Sequence, residues 1–174
     1  NFVDAEAARF AAMTASELLA RWRRGRGRLN VALQAVPSGT KIAWFGPPMS
    51  ATSMATARFM ETWAHGLDIY DALGVTAPQT DAIKHVAHIA VRTRDFAFAA
   101  HNLPAPEHEF RIELIAPSGA LWAWGPEFAE QRITGRAVDF AKLATQRVHR
   151  DDTLLIAEGE QAETWLGIAQ CFAG

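Results

Sequence analysis

The chain has 174 residues, 49% of them hydrophobic and 21% charged, so it is long enough to bury a real core and ordinary in composition for a globular protein. A formal net charge of −2 gives no global basic field for nucleic acid, and a single cysteine excludes an intrachain disulfide framework. No run approaches the roughly 18 apolar residues of a membrane span and no signal peptide is visible, which makes the cytoplasm the expected compartment.

The first residue is Asn, not Met, which suggests a start that is trimmed, processed or incompletely represented. Asp4 is placed to cap a short helix through AEAARFAAM. Thr14-Ala-Ser-Glu17 is a capping-box pattern that opens a helix running to about Val36. Leu18, Leu19, Trp22, Leu29 and Leu33 give that helix an apolar stripe, and Gly25 and Gly27 weaken its middle. Its arginine cluster, Arg21, Arg23, Arg24, Arg26 and Arg28, reads as a solvated face, because no interleaved aromatics offer base stacking. Pro37-Ser-Gly39 ends it, and Lys41 to Pro48 reads as a loop packing Trp44 and Phe45.

Ser50 or Ser53 then caps a helix over MATARFMETWAHGLDIYDALG, with Gly74 at its end. At 100° per residue, Arg58, Glu61, His65 and Asp68 share one narrow stripe, while Phe59, Trp63, Leu67 and Tyr70 fall opposite and Met60 flanks them. Glu61 and His65 stand at i and i+4, a spacing at which carboxylate and imidazole can share one divalent metal. The same mixed charge also describes a plain solvated helix face.

Thr80 or Asp81 opens a further helix, DAIKHVAHIAVRTRDFAFAAHN, which carries His85 and His88. Either histidine is a helix-wall residue or, for His88 above all, part of a pocket. From Glu109 the period changes. Phe110, Ile112 and Leu114 alternate with Arg111 and Glu113 as in a half-buried strand, Pro117-Ser-Gly119 turns the chain, and LWAWG returns with Trp122 and Trp124 on one face. A third short strand is expected around Arg132–Thr134, a helix over Gly135–Arg147, a strand in TLLIAEG and a closing helix over Glu160–Phe172. Cys171 in that last helix reads as a packed small hydrophobe.

The fold class is therefore α+β, with helices first and every strand longer than a bridge after residue 108, apart from a short piece near Ile42–Phe45. The proline-bearing segment near Leu103–His108 is the expected boundary between residues 1–103 and 108–174. There is no Cys-x-x-Cys pair, no phosphate-cradling glycine loop and no Gly-x-Ser-x-Gly elbow, so the common nucleophilic and nucleotide-binding classes lack support.

METWAHG followed by Asp68 resembles the metal-site helix of the DinB-like, mycothiol-dependent maleylpyruvate isomerase superfamily. PPMSATSMATARFMETWAHG, HVAHIAVRTRDFAF, APSGALWAWGPE and TQRVHRDD resemble an uncharacterised actinobacterial branch of it. The resemblance implies an incomplete DinB-like helical bundle followed by a small α/β, sterol-carrier-like domain. It implies a divalent metal, zinc first, on Glu61 and His65, with mycothiol as the thiol and a small electrophile as substrate. The metal would deprotonate the thiol, and the thiolate would add to an electrophilic carbon in isomerisation or S-transfer. Asp68 would orient His65 or a bound water. Arg147 would hold a substrate carboxylate, with Arg58, Arg92 and Arg150 as weaker matches. Arg58 and His88 are the expected cofactor contacts.

The third ligand of the superfamily is a histidine on an earlier helix, yet the earliest histidine in this chain is His65. The pattern then implies missing N-terminal helices, or a substitute such as His88, with dimerisation or an absent segment covering the exposed bundle face. The rival reading is a non-catalytic binding or interaction protein on the same scaffold. A hydrolase whose metal activates water is a third. If the scaffold serves a reaction, the Arg58–Glu61–His65–Asp68 stripe should line a groove open on one side.

Overall fold

Helices α1 (Phe2–Ala11) and α2 (Ala15–Gln34) open the chain in a computed structural model that describes residues 2–44 and 48–171. Asp4 lies inside the first turn of α1 rather than capping it, because the helix already starts at Phe2; the acid there faces the positive end of the helix dipole. Thr14 closes the expected capping box. Its hydroxyl accepts from the Glu17 amide at 3.3 Å, and its own amide donates to Glu17 Oε2 at 2.9 Å. The apolar stripe of α2 is half-exposed, with Trp22 at 49%. Ile42 and Met49 form one antiparallel bridge, Trp44 is exposed at its side chain, and Phe45 lies outside the described residues.

Ser50 Oγ accepts from the Ser53 amide at 3.1 Å and starts α3 (Ala51–Ala72). Two compact units divide the chain, Asn1–Ala55 and Thr56–Gly174. The segment expected to separate domains, 103–108, falls inside the second unit, where residues before and after it share one core.

In that second unit the buried band of α3 is Ala57, Met60, Ala64 and Leu67. Opposite the polar stripe only Leu67 is buried, while Phe59, Trp63 and Tyr70 are partly buried. This band runs beside the polar stripe, so Glu61 and Asp68 stand at the edge of the core. After a single 3-10 turn at Asp81–Ile83 come α4 (Lys84–Arg92) and α5 (Arg94–Ala100), where one helix was expected. Thr93 makes the break. Its hydroxyl donates to the carbonyls of Ile89 at 2.9 Å and Ala90 at 3.1 Å, offering the backbone a competitor to the helical ladder.

Strands β1 (Arg111–Ile115), β2 (Leu121–Trp124), β3 (Arg132–Arg136) and β4 (Ile156–Glu158) form a sheet in the order β2-β1-β3-β4. β1 pairs antiparallel with β2 and parallel with β3, and β3 pairs antiparallel with β4. The alternation in β1 buries Ile112 and Leu114 on one face and leaves Arg111 and Glu113 on the other, where Glu113 also receives Arg132 at 2.7 Å. The hairpin tip is tied back to the 3-10 turn, since the Ser118 amide and hydroxyl both donate to the Asp81 carboxylate, at 3.0 and 2.7 Å. Gly125 ends β2 at φ +75°, and a Cβ there would lie 1.9 Å from the Phe110 carbonyl oxygen.

The helix expected over Gly135–Arg147 is shorter, because Gly135 belongs to β3; α6 is Ala137–Ala144, and α7 is Glu160–Ile168. Both pack on the buried side of the sheet. Trp165 of α7 is 1% exposed and sits edge-on to Phe110 and Phe140, each 5.7 Å away between ring centroids. Helices before and strands after residue 108, as expected, give the α+β class. No helix among the described residues is long and apolar enough to cross a membrane.

Candidate functional site

Four of the residues picked from the sequence, Glu61, His65, Asp68 and Arg147, converge on the flank of α3, all within the second unit. Arg147, just past the end of α6, grips Asp68 with two nitrogens: Nε lies 2.6 Å from Oδ1 and Nη2 donates to Oδ2 at 2.9 Å. The same guanidinium donates from Nη1 to the Thr145 carbonyl at 2.7 Å and from Nε to the Ala64 carbonyl at 3.3 Å. Its side chain is 19% exposed. A bidentate, half-desolvated arginine of this kind holds its partner in a fixed plane. First the Arg147 hydrogen bond, and then His65, holds the Asp68 carboxyl below the usual carboxylate range.

His65 stands between three groups. Its Nδ1 is 3.2 Å from Asp68 Oδ2 and 3.2 Å from Arg147 Nη2, and its Nε2 is 3.3 Å from Glu61 Oε2. Nδ1 can serve only one of its two neighbours at a time. With its proton on Nδ1 it donates to Asp68 and leaves Nε2 bare toward Glu61. With Nδ1 bare it accepts from Arg147 and points an N–H at Glu61. The first state is the carboxylate-supported imidazole that metal-binding histidines use.

Two ligands of one tetrahedral zinc, each about 2.0–2.1 Å from the ion, stand roughly 3.3 Å apart. The Glu61–His65 separation matches that. A catalytic zinc takes three protein ligands, however, and no group of three His, Cys, Asp or Glu side chains able to hold a metal occurs among the described residues. The residues present fit two corners of a metal site and do not complete it. Cys171 does not supply the third. It is buried and donates its Sγ proton to the Ala144 carbonyl at 3.0 Å, and burial, with the nearby Glu61 charge, pushes its thiol up to about 12.

Arg58 and His88 stand apart from this cluster. The Arg58 side chain has no hydrogen bond or ion pair among the described residues, and His88 meets Trp124, whose Nε1 donates to Nδ1 at 3.3 Å. His85 touches Phe59 edge-on instead. The stripe as a whole is open, with the His65 side chain 69% exposed and that of Asp68 47%.

Sequence reasoning placed Arg150 only as a weaker candidate, yet it lines, with Arg147, His149 and the apolar Leu143, Leu166 and Ile168, a cavity of about 620 Å³. Arg150 is poorly matched there. Nη1 donates to Thr153 Oγ1 at 3.2 Å, Nη2 reaches both Glu163 oxygens only at 3.5 Å, and the buried Nε has no partner. The signal available in the sequence was the run Arg147-Val-His-Arg150, which sets two arginines three positions apart just beyond α6.

Residues 1–70, which include Glu61, His65 and Asp68, match the model of the mycothiol maleylpyruvate isomerase N-terminal domain. The chain belongs to the mycothiol-dependent maleylpyruvate isomerase superfamily. It is 57% identical over 174 residues to two uncharacterized proteins of Mycobacterium tuberculosis, MT0041 of strain CDC 1551 / Oshkosh and Rv0036c of strain ATCC 25618 / H37Rv. Each alignment covers 100% of this chain and 68% of the relative. No solved structure matches. Within the superfamily match, the helix carrying Glu61 and His65 is the part common to the matched domain and to the cluster built with Arg147.

Proposed function

We propose that this chain is a thiol-using transferase or isomerase of the superfamily, acting with mycothiol on a small anionic electrophile. The observation that carries the reading is the Glu61–His65 pair at 3.3 Å, set on the family-matched helix and braced from behind by Asp68 and Arg147. In this reading Glu61 and His65 share a divalent ion, zinc first, with a further donor from beyond the described residues. Such an ion, when bound, would hold the thiol as thiolate.

The chain's own residues have distinct tasks around that edge. Asp68 accepts the His65 Nδ1 proton and so keeps Nε2 free toward Glu61. Arg147, expected to grip a substrate carboxylate, is engaged on Asp68 and acts as the brace for that histidine. Arg150 is left for the substrate, since its guanidinium is half-buried and its best carboxylate neighbour is 3.5 Å away. An oxyanion in the adjoining cavity would give it the strong pair it lacks. Leu143, Leu166 and Ile168 would cover the carbon skeleton.

The test is a thiol-transfer assay with mycothiol and a carboxylate-bearing electrophile in saturating zinc, on wild type, Glu61→Gln and Arg150→Gln. Loss of rate in Glu61→Gln and a raised KM in Arg150→Gln are expected. Rates at the uncatalysed level in all three would remove the enzyme. One observation favours the second reading, a binding protein without turnover: the His65 imidazole is 69% exposed, and no third metal donor joins it and Glu61 among the described residues. Elemental analysis of wild type and His65→Ala separates the two, because stoichiometric metal lost with His65 is what the enzyme requires.

A further inference from the structure

A second cavity, of about 320 Å³, lies between α4, the start of α5 and the β1–β2 hairpin, and none of Glu61, His65, Asp68 or Arg147 lines it. Its walls are Val91, Phe110, Ile112 and Trp124, with Arg92, Glu109, His88 and the Arg94–Asp95 pair at the polar positions. It is a concave cleft in which an apolar floor meets an equal share of polar groups, and His88, Arg92 and Glu109 stand at its exposed rim.

Each polar group can be assigned. Arg94 is fully engaged, binding Asp95 at 2.7 Å and the His108 carbonyl at 2.7 Å while stacking on Phe110 at 4.7 Å, so that charge pair is self-contained. An indole N–H only donates, so the Trp124–His88 bond makes Nδ1 the acceptor and puts the neutral imidazole's proton on Nε2. His88 therefore has a second N–H whose partner the fold does not supply. Arg92 and Glu109 line the same cavity with opposite charge, yet neither side chain makes a hydrogen bond or ion pair with any described residue. Opposite charges at the rim of one cleft, neither engaged by a protein partner, leave room for a ligand that carries both complements.

We propose that this cavity binds a small zwitterion with a flat apolar body, of the pattern of an aromatic α-amino acid. Arg92 and the His88 Nε2–H receive its carboxylate, Glu109 receives its ammonium, and Val91 and the Trp124 ring flank its body. The site is independent of the thiol chemistry at Glu61 and His65.

The probes are phenylalanine, 3-phenylpropionate, which lacks the amine, and phenethylamine, which lacks the carboxylate. Binding is followed by the indole N–H resonance of Trp124 in the whole chain, assigned by its disappearance in Trp124→Phe. Phenylalanine should shift that resonance saturably and bind about tenfold more tightly than either truncated probe. Arg92→Gln and Glu109→Gln, both surface changes that leave the far-ultraviolet circular dichroism unchanged, should each weaken it about tenfold. The proposal is overturned if phenylalanine gives no saturable shift at millimolar concentration. It is equally overturned if 3-phenylpropionate binds as well as phenylalanine, or if neither charge substitution matters. His65→Ala should leave the titration unchanged, so failure here and failure of the thiol chemistry are separately visible.

Discussion

Cys171 should be chemically silent in the folded protein. Burial, reinforced by the Glu61 carboxylate, moves its thiol from 9.0 to about 12, and reagents attack the thiolate. A shift of that size lowers the thiolate fraction about a thousandfold at any pH below the ordinary value. The side chain is also 6% exposed, with its proton directed at the Ala144 carbonyl 3.0 Å away. Alkylation by iodoacetamide at mildly alkaline pH, read by mass spectrometry, should be at least about a thousandfold slower in native protein than in denaturant. A native rate within about tenfold of the denatured one would refute the reasoning, because only an accessible, ionisable thiol gives it. The sign of the linked stability follows. A raised folded value favours the protonated fold, so this contribution is complete below the unfolded thiol's range and is lost as pH rises toward about 12. Cys171→Ala should remove that alkaline loss. The functional corollary is direct: a thiol reaction in this chain requires a thiol brought from outside.

Asp68→Asn should lower the urea midpoint most at neutral pH and least in strong acid, since a carboxyl held down by Arg147 contributes above its unfolded value and loses that contribution as pH falls through the folded one. Equal midpoint differences at both pH values would show that the Arg147 brace contributes nothing. Gly125→Ala combines a left-handed φ of +75° with a Cβ 1.9 Å from a carbonyl oxygen, and should cost about 2 kcal/mol or more, read as a fall of roughly 4–8 °C in melting temperature. Trp165→Ala removes a ring packed edge-on against two others and should cost about 3–5 kcal/mol by chemical denaturation, a large part of a typical domain's stability.

Local grammar carried most of the fold. The Thr14–Glu17 box, the Ser50 cap, the alternation from Phe110 and the Pro117–Gly119 turn each act within a few residues, and each is in place. What escaped was decided at a distance or by competition. Thr93 splits a helix that periodicity alone continues, because a hydroxyl bond to the preceding turn is invisible to hydrophobic counting. The buried band of α3, Ala57, Met60, Ala64 and Leu67, lies beside the polar stripe rather than opposite it, a choice made by the rest of the fold and not by the helix's own pattern. At the site, Glu61, His65 and Asp68 were legible because one helix spaces them. The bond from Arg147 to Asp68 spans 79 positions, so the engagement of an arginine expected to meet a substrate carboxylate depends on tertiary geometry. The pairing of His88 with Trp124 across 36 positions is hidden for the same reason.

The strap from Asp81 to Ser118 bears on how this protein can be handled. A two-strand hairpin tip is ordinarily the first place to splice in an epitope or open a permuted terminus, because its backbone answers to nothing else. Here both the amide and the hydroxyl of the tip serine are anchored to the start of α4's preceding turn, so a guest peptide would unfasten the hairpin carrying Trp122 and Trp124.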